Sequence, residues 1–310
     1  MIGVAPYSSA KVFPLDIARL ISEYIPPHAL CDFVDVSQLN IRALCTNPYS
    51  IELLGQFKDD IDWCVLSSNP HSTDILRGNL AMVAWERTSA YTPSAALLMD
   101  NIHKVCWQWA SLNDSAVPIL TSFPDKINWN FFSCNTRCTF LANLCLERLD
   151  WNSLSMNPGA VSLLLANTDK INWRFASANS GLPVSLLEDN VEMLSASYLS
   201  SNPNAIGLLR KYPHLIDWVS LSQNQKGTSL LLENPRKINW VYFSRHCPDI
   251  SVMWDNLDKL HFPALSANPY AVPILRQYRT KINWDAASTN PGIFRRDART
   301  LETILDFQWG

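Results

Sequence analysis

The stretches SSNPHSTDIL (67–76), SMNPGAVSLL (155–164), SSNPNAIGLL (200–209) and SANPYAVPIL (266–275) are near-copies of one ten-residue phrase. A chain that repeats a phrase at fixed intervals stacks one small unit, so the period is read before anything else. Counted from the tryptophan ahead of each phrase, Trp63, Trp85, Trp107, Trp129, Trp151 and Trp173 lie 22 residues apart. One extra residue enters near Gly181-Leu182-Pro183, and the spacing resumes at Ala196, Trp218, Trp240, Phe262 and Trp284. Ile41 holds the same place upstream, which gives about twelve units over residues 37–305. Two residues before each anchor the side chain is aliphatic, from Leu39 and Ile61 to Leu260 and Ile282. Four residues after it stands Ser, with Cys45 the one exception.

The recurring Asn-Pro has a physical meaning. Asn is a preferred helix N-cap, and Pro suits the first helical position because its missing N–H has no partner there. Asn69-Pro70, Asn157-Pro158, Asn202-Pro203 and Asn268-Pro269 therefore start short helices. After Asn157, the residues Ala160, Val161, Leu163 and Leu164 share one helical face. A second start signal is the Asp or Asn ahead of the anchor, as in Asp62, Asn128, Asp150 and Asn283. The aliphatic before that cap forms a hydrophobic staple with the fourth helical position, Ile61 on Leu66.

Helices this short are unstable alone and persist only by stacking on neighbours. The expected fold is all-α: an α-solenoid of about twelve 22-residue repeats, each two short helices, over residues 37–305. Residues 1–36 supply an N-terminal helical cap or F-box-like segment, and 306–310 a C-terminal tail. A leucine-rich β-solenoid also has repeats of this length, but Pro after Asn and the i, i+3, i+4 spacing argue against a strand there. At about 8–10 Å per packed layer the array reads as an arc on the order of 100 Å long.

Of the 310 residues, 47 % are hydrophobic and the net charge is −3, which excludes a disordered tail and a basic nucleic-acid binder. No apolar run reaches the ~18–20 residues of a membrane span, and there is no signal-peptide core. The eight cysteines are scattered; Cys134, Cys138 and Cys145 share one unit without a C-x-x-C pair. They read as reduced thiols in the core of a cytosolic or nuclear protein rather than metal ligands.

Nothing in the pattern points to catalysis. A Ser at one place in eleven units is not a nucleophile, and back-bonding or capping accounts for it. The six histidines fall at unrelated positions, and no phosphate-cradling glycine motif exists among nine glycines. No enzyme activity, cofactor, metal or small-molecule substrate is expected. Lys126, Lys170, Lys237, Lys259 and Lys281 recur at one place, where Asp60 stands in an earlier unit, and read as a solvated turn. The two positions after the anchor vary most. The second of them holds Trp109, Phe131, Phe175, Tyr198 and Tyr242, which either line a protein-recognition strip or pack between layers.

FPLDIARLISEYIPPHALCDFVDVSQLNIRALCTNP (13–48) resembles an F-box, with Phe13 where Leu is usual and Asn40 where Trp is frequent. The resemblance implies that Pro14, Leu15, Ile17, Leu20, Ile21, Tyr24 and Ile25 dock the small adaptor of a cullin-type ubiquitin ligase while the repeats choose a substrate. The other reading is a solenoid cap made by the same amphipathic segment. KINWRFASAN (170–179), LDWNSLSMNPGAVSLL (149–164) and LSSNPNAIGLLRKYPHLIDW (199–218) resemble the repeat arrays of giant nucleocytoplasmic DNA virus proteins. That implies a viral origin and a place in the host cytoplasm, the nucleus or the virion. Three functions follow in order: a non-enzymatic protein-interaction scaffold acting as a ligase substrate receptor, a structural virion-associated protein, and a nucleic-acid-binding solenoid.

Overall fold

The computed structural model describes residues 29–142 and 145–295. Each unit opens with a helix of about one turn, such as Trp63–Leu66. Its start is fixed by the residue before the anchor: the Asp62 carboxylate accepts the Val65 N–H at 3.0 Å. Asn128, Asp150, Asp217, Asn239 and Asn283 cap their helices in the same way. The Asn-Pro that follows begins a 3-10 turn, not an α-helix directly. Asn69 accepts the His71 N–H, Pro70–Ser72 forms the turn, and the turn feeds the α-helix Thr73–Gly78. Such tight turns commonly lead into α-helices. A second 3-10 turn, as in Thr168–Lys170, closes the unit before the extended aliphatic residue.

Two rows of side chains build the core. The fourth residue of the first helix is fully buried at Leu44, Leu66, Phe132, Leu154, Leu199, Leu221 and Leu265. Leu54, Leu98, Leu120, Leu164, Leu209 and Leu275 on the second helices are buried as completely. Each contributes about 2 kcal/mol by burial, and the row is continuous from unit to unit. In the third unit this place is Thr88, buried with no partner for its hydroxyl among the described residues. Thr88→Val keeps the shape and removes the unpaired group, so it is expected to raise stability by about 1 kcal/mol, read as a higher urea midpoint.

The units are joined by two repeated polar devices. The Ser hydroxyl donates to its anchor's carbonyl, as Ser155 to Trp151 at 2.6 Å. The same oxygen accepts the N–H ahead of the next anchor, as from Asn172 at 2.9 Å. Its expected back-bonding is therefore present, with an inter-unit bond added. The Asn of Asn-Pro does more than cap. Asn157 accepts the Gly159 N–H and sends its Nδ2 back into the preceding unit, to the carbonyls of Ser133 at 3.0 Å and Asn135 at 2.8 Å. Asn69, Asn179, Asn202, Asn224 and Asn290 make the same pair of bonds. Tyr91 and His246 replace this Asn in two units, and there the first helix lengthens to Trp85–Tyr91 and Trp240–His246.

The same devices join the last unit to the first. Asn47 Nδ2 donates to the Ser288 and Asn290 carbonyls at 3.1 and 3.0 Å. The Asn40 N–H reaches Ser288 Oγ at 2.9 Å, and Asn40 Nδ2 reaches Asp285 at 2.8 Å. The solenoid, which forms the compact unit Phe33–Ile293, thus closes on itself. The expected open arc is corrected to a ring, because the bonds that hold any two neighbours are satisfied at the two ends as well.

Outside that unit, among the described residues, Ala29–Leu30 pairs antiparallel with Phe294–Arg295. The candidate adaptor-docking residues Pro14, Leu15, Ile17, Leu20, Ile21, Tyr24 and Ile25 lie outside the described residues, as does the 306–310 tail. Among the described residues no helix is long and apolar enough to cross a membrane.

Candidate interaction face

A first helix of one turn buries its fourth residue and leaves the residues one, two and five places after the anchor turned away from the core. The place directly after the anchor is exposed in every unit, for example at Asn130, Asn152, Arg174, Val219 and Val241. The next place carries the aromatic row. Trp109 and Phe131 meet edge to face with ring centroids 5.2 Å apart, and Phe175 and Tyr198 meet at 5.8 Å. Such contacts add about 0.5–1.5 kcal/mol per pair. All four rings are only half-buried: they pack between layers, as one of the two sequence readings expected, and still present a face to solvent. Tyr242 is exposed and belongs to neither pair.

The row is interrupted by Ser153, in the unit between Phe131 and Phe175, and by Ser220. At Ser153 the missing ring leaves a cleft with two lobes of 440 and 350 Å³, which reach Phe175 and Phe131 respectively. Both lobes touch Cys134, Asp150 and Ser153. Met156, Val219 and Val241 are exposed apolar residues of this same face that the sequence reading passed over. Their places one and five residues after an anchor were the available signal.

The second helices present charge instead. Arg210 pairs with Glu233 at 2.5 Å, and Lys211 pairs with Glu188, each across a unit boundary. Exposed pairs of this kind contribute about 0–1 kcal/mol. The aromatic side is therefore the stronger candidate for an interface.

The anchors are half-buried rather than core residues. Lys104, Lys170, Lys259 and Lys281 hold their ammonium groups 4.6–5.3 Å from the centroids of the preceding anchors Trp85, Trp151, Trp240 and Phe262. The recurrent lysines are exposed at turns, as the sequence reading expected, and at Lys170, Lys259 and Lys281 a cation–π contact is added to the ring they cover. Lys126 is paired with Asp125 at 3.5 Å, which also diminishes any free basic stripe.

Cys45, Cys64, Cys106, Cys134, Cys138, Cys145 and Cys247 are free thiols. Among the described residues no cluster of three or more His, Cys, Asp or Glu suits a metal ion. Burial pushes the Cys138 thiol up to about 11, whereas Cys64 and Cys134 are exposed. The thiolate is the reactive form. Iodoacetamide at pH 8 is therefore expected to label Cys64 and Cys134 well before Cys138, read by peptide mass mapping; prompt labelling of Cys138 contradicts its burial.

No family model, curated protein or solved structure matches the chain.

Proposed function

We propose that this chain is a non-enzymatic scaffold that holds protein partners on the aromatic face of its ring. The observation that carries the reading is the row Trp109, Phe131, Phe175 and Tyr198, half-exposed rings held in register on first helices. Rings fixed by packing lose little freedom on binding, and aromatic residues supply much of the energy at protein interfaces. The ring closure supports the same reading, since it holds successive units at fixed spacing.

The F-box likeness of the N-terminal segment makes a ubiquitin-ligase substrate receptor the specific form of this scaffold, with Leu20 and Tyr24 among the adaptor contacts. The test is affinity capture from cells with three proteins: the full chain, Leu20→Asp with Tyr24→Asp, and Trp109→Ala with Phe175→Ala. All three are first checked for an unchanged helical circular dichroism spectrum. The aromatic variant is expected to lose the captured partner, and the N-terminal variant to lose the ligase adaptor while keeping that partner. Capture that survives the aromatic substitutions overturns the scaffold reading. Capsid or core proteins recovered in place of an adaptor overturn the receptor form and leave the structural, virion-associated alternative.

A further inference from the structure

Ser153 stands where Phe131 and Phe175 stand in the neighbouring units, and the cleft it leaves is built from more than apolar surface. Phe131, Phe175, Met156 and Pro158 form its walls. Asp150 borders both lobes, and no Lys, Arg or His is among the lining residues. The carboxylate is engaged locally but not saturated. Its Oδ1 accepts one bond, from the Asn152 N–H at 3.2 Å. Its Oδ2 accepts two, from the Ser153 N–H at 3.2 Å and Ser153 Oγ at 2.6 Å. An ionised carboxylate accepts about four. Asp150 has no cationic partner among the described residues.

We infer that this cleft receives a cationic side chain of the protein partner, arginine before lysine. The inference rests on the reading of the aromatic face as the protein-binding surface, and it names what that surface selects. An aromatic side chain from the partner fills the gap in the row but strips water from Asp150 and returns no counter-charge, which is costly. A cationic side chain satisfies both parts of the site. Its aliphatic stem lies along Met156, Pro158 and the phenyl rings, and its head reaches Oδ1 of Asp150. A planar guanidinium can also lie on a ring face while it donates to the carboxylate, which favours arginine.

The ring itself supplies the test variants. Asn occupies the place of Asp150 in five other units, at Asn40, Asn128, Asn172, Asn239 and Asn283, so Asp150→Asn removes the charge and keeps a native cap. Phe occupies the place of Ser153 in both adjacent units, so Ser153→Phe closes the cleft with a residue the row already holds. The isotope-labelled full chain is titrated with acetyl-Gly-Arg-Gly-amide and with its citrulline counterpart, which has the same shape without the charge. Wild type is expected to bind the arginine peptide about tenfold more tightly, with amide shifts centred on Asn152, Ser153 and Phe175. Asp150→Asn is expected to erase that preference, and Ser153→Phe to abolish saturable binding. Equal affinity for the two peptides, an arginine preference that survives Asp150→Asn, or no saturable binding to wild type overturns the inference. Partner capture separates its failure from that of the broader reading. Capture retained by Ser153→Phe but lost in Trp109→Ala with Phe175→Ala discards the cleft alone; capture retained by both discards the scaffold as well.

Discussion

Asn179→Ala is expected to lower the unfolding free energy by about 3–5 kcal/mol, far more than its small change in apolar surface implies. Asn179 is fully buried and makes three bonds. Its Oδ1 accepts the Gly181 N–H at 2.9 Å, and its Nδ2 donates to the Ser155 and Asn157 carbonyls at 2.9 and 3.0 Å. Alanine removes all three and leaves two carbonyls facing a space too small for the lost amide to be replaced easily by water. Asn190→Ala is the comparison. That residue is only half-buried and donates once, to the Leu186 carbonyl in the helix just before it, so its loss is expected to cost about 1 kcal/mol. Urea unfolding of both variants decides the matter. Equal effects mean that Asn179 acts only within its own turn and that the inter-unit bonds carry little energy.

The clamp asparagines show where reading the sequence succeeds and where it stops. The role of Asn157 as a cap was legible, because capping is local: an oxygen two residues from an unpaired N–H needs nothing beyond the Asn-Pro-x spacing. The Ser back-bond from Ser177 to the Trp173 carbonyl was legible for the same reason. The inter-unit donors were not, since a bond across 22 or 24 residues depends on how one unit lies on the next. The tryptophan anchors pose a related limit. A residue repeated at fixed spacing suggests core, yet Trp63, Trp85 and Trp151 are half-buried, and Lys104 and Lys170 cover two of the exposed faces. Recurrence there reports a contact between side chains of one unit, not burial. For the candidate interaction face, aromatic identity at Phe131 and Phe175 was readable, but the cleft was not. Ser153 is an ordinary surface residue until its neighbours on both sides prove to be rings in register.

Closure itself follows from a small rotation between neighbouring units, accumulated over the whole array, and no single residue encodes it. It nevertheless makes a sharp prediction. Asn47 is the seam copy of Asn179: the same two donated bonds run from it to Ser288 and Asn290 in the last unit. Asn47→Asp turns a carboxylate oxygen toward those two carbonyls in a buried site, at a cost of about 4 kcal/mol. That is about a thousandfold in an equilibrium between closed and open forms. At any internal boundary the chain still tethers the two units after such a change; between the last unit and the first no peptide link runs, and only the seam contacts and the two-residue pairing of Ala29–Leu30 with Phe294–Arg295 act. Asn47→Asp is therefore expected to open the ring, while Asn157→Asp loosens one boundary and leaves the seam closed. The Asn40 amide, bonded to Ser288 Oγ at 2.9 Å in the closed ring, reports on this directly. Its hydrogen exchange should quicken up to about a thousandfold in Asn47→Asp, with the radius of gyration from solution scattering rising, and neither change should occur in Asn157→Asp. An Asn40 amide that stays protected in Asn47→Asp, with scattering unchanged, means that the seam is held by its other contacts, the pairing of Ala29–Leu30 with Phe294–Arg295 among them, and not by the asparagine clamp.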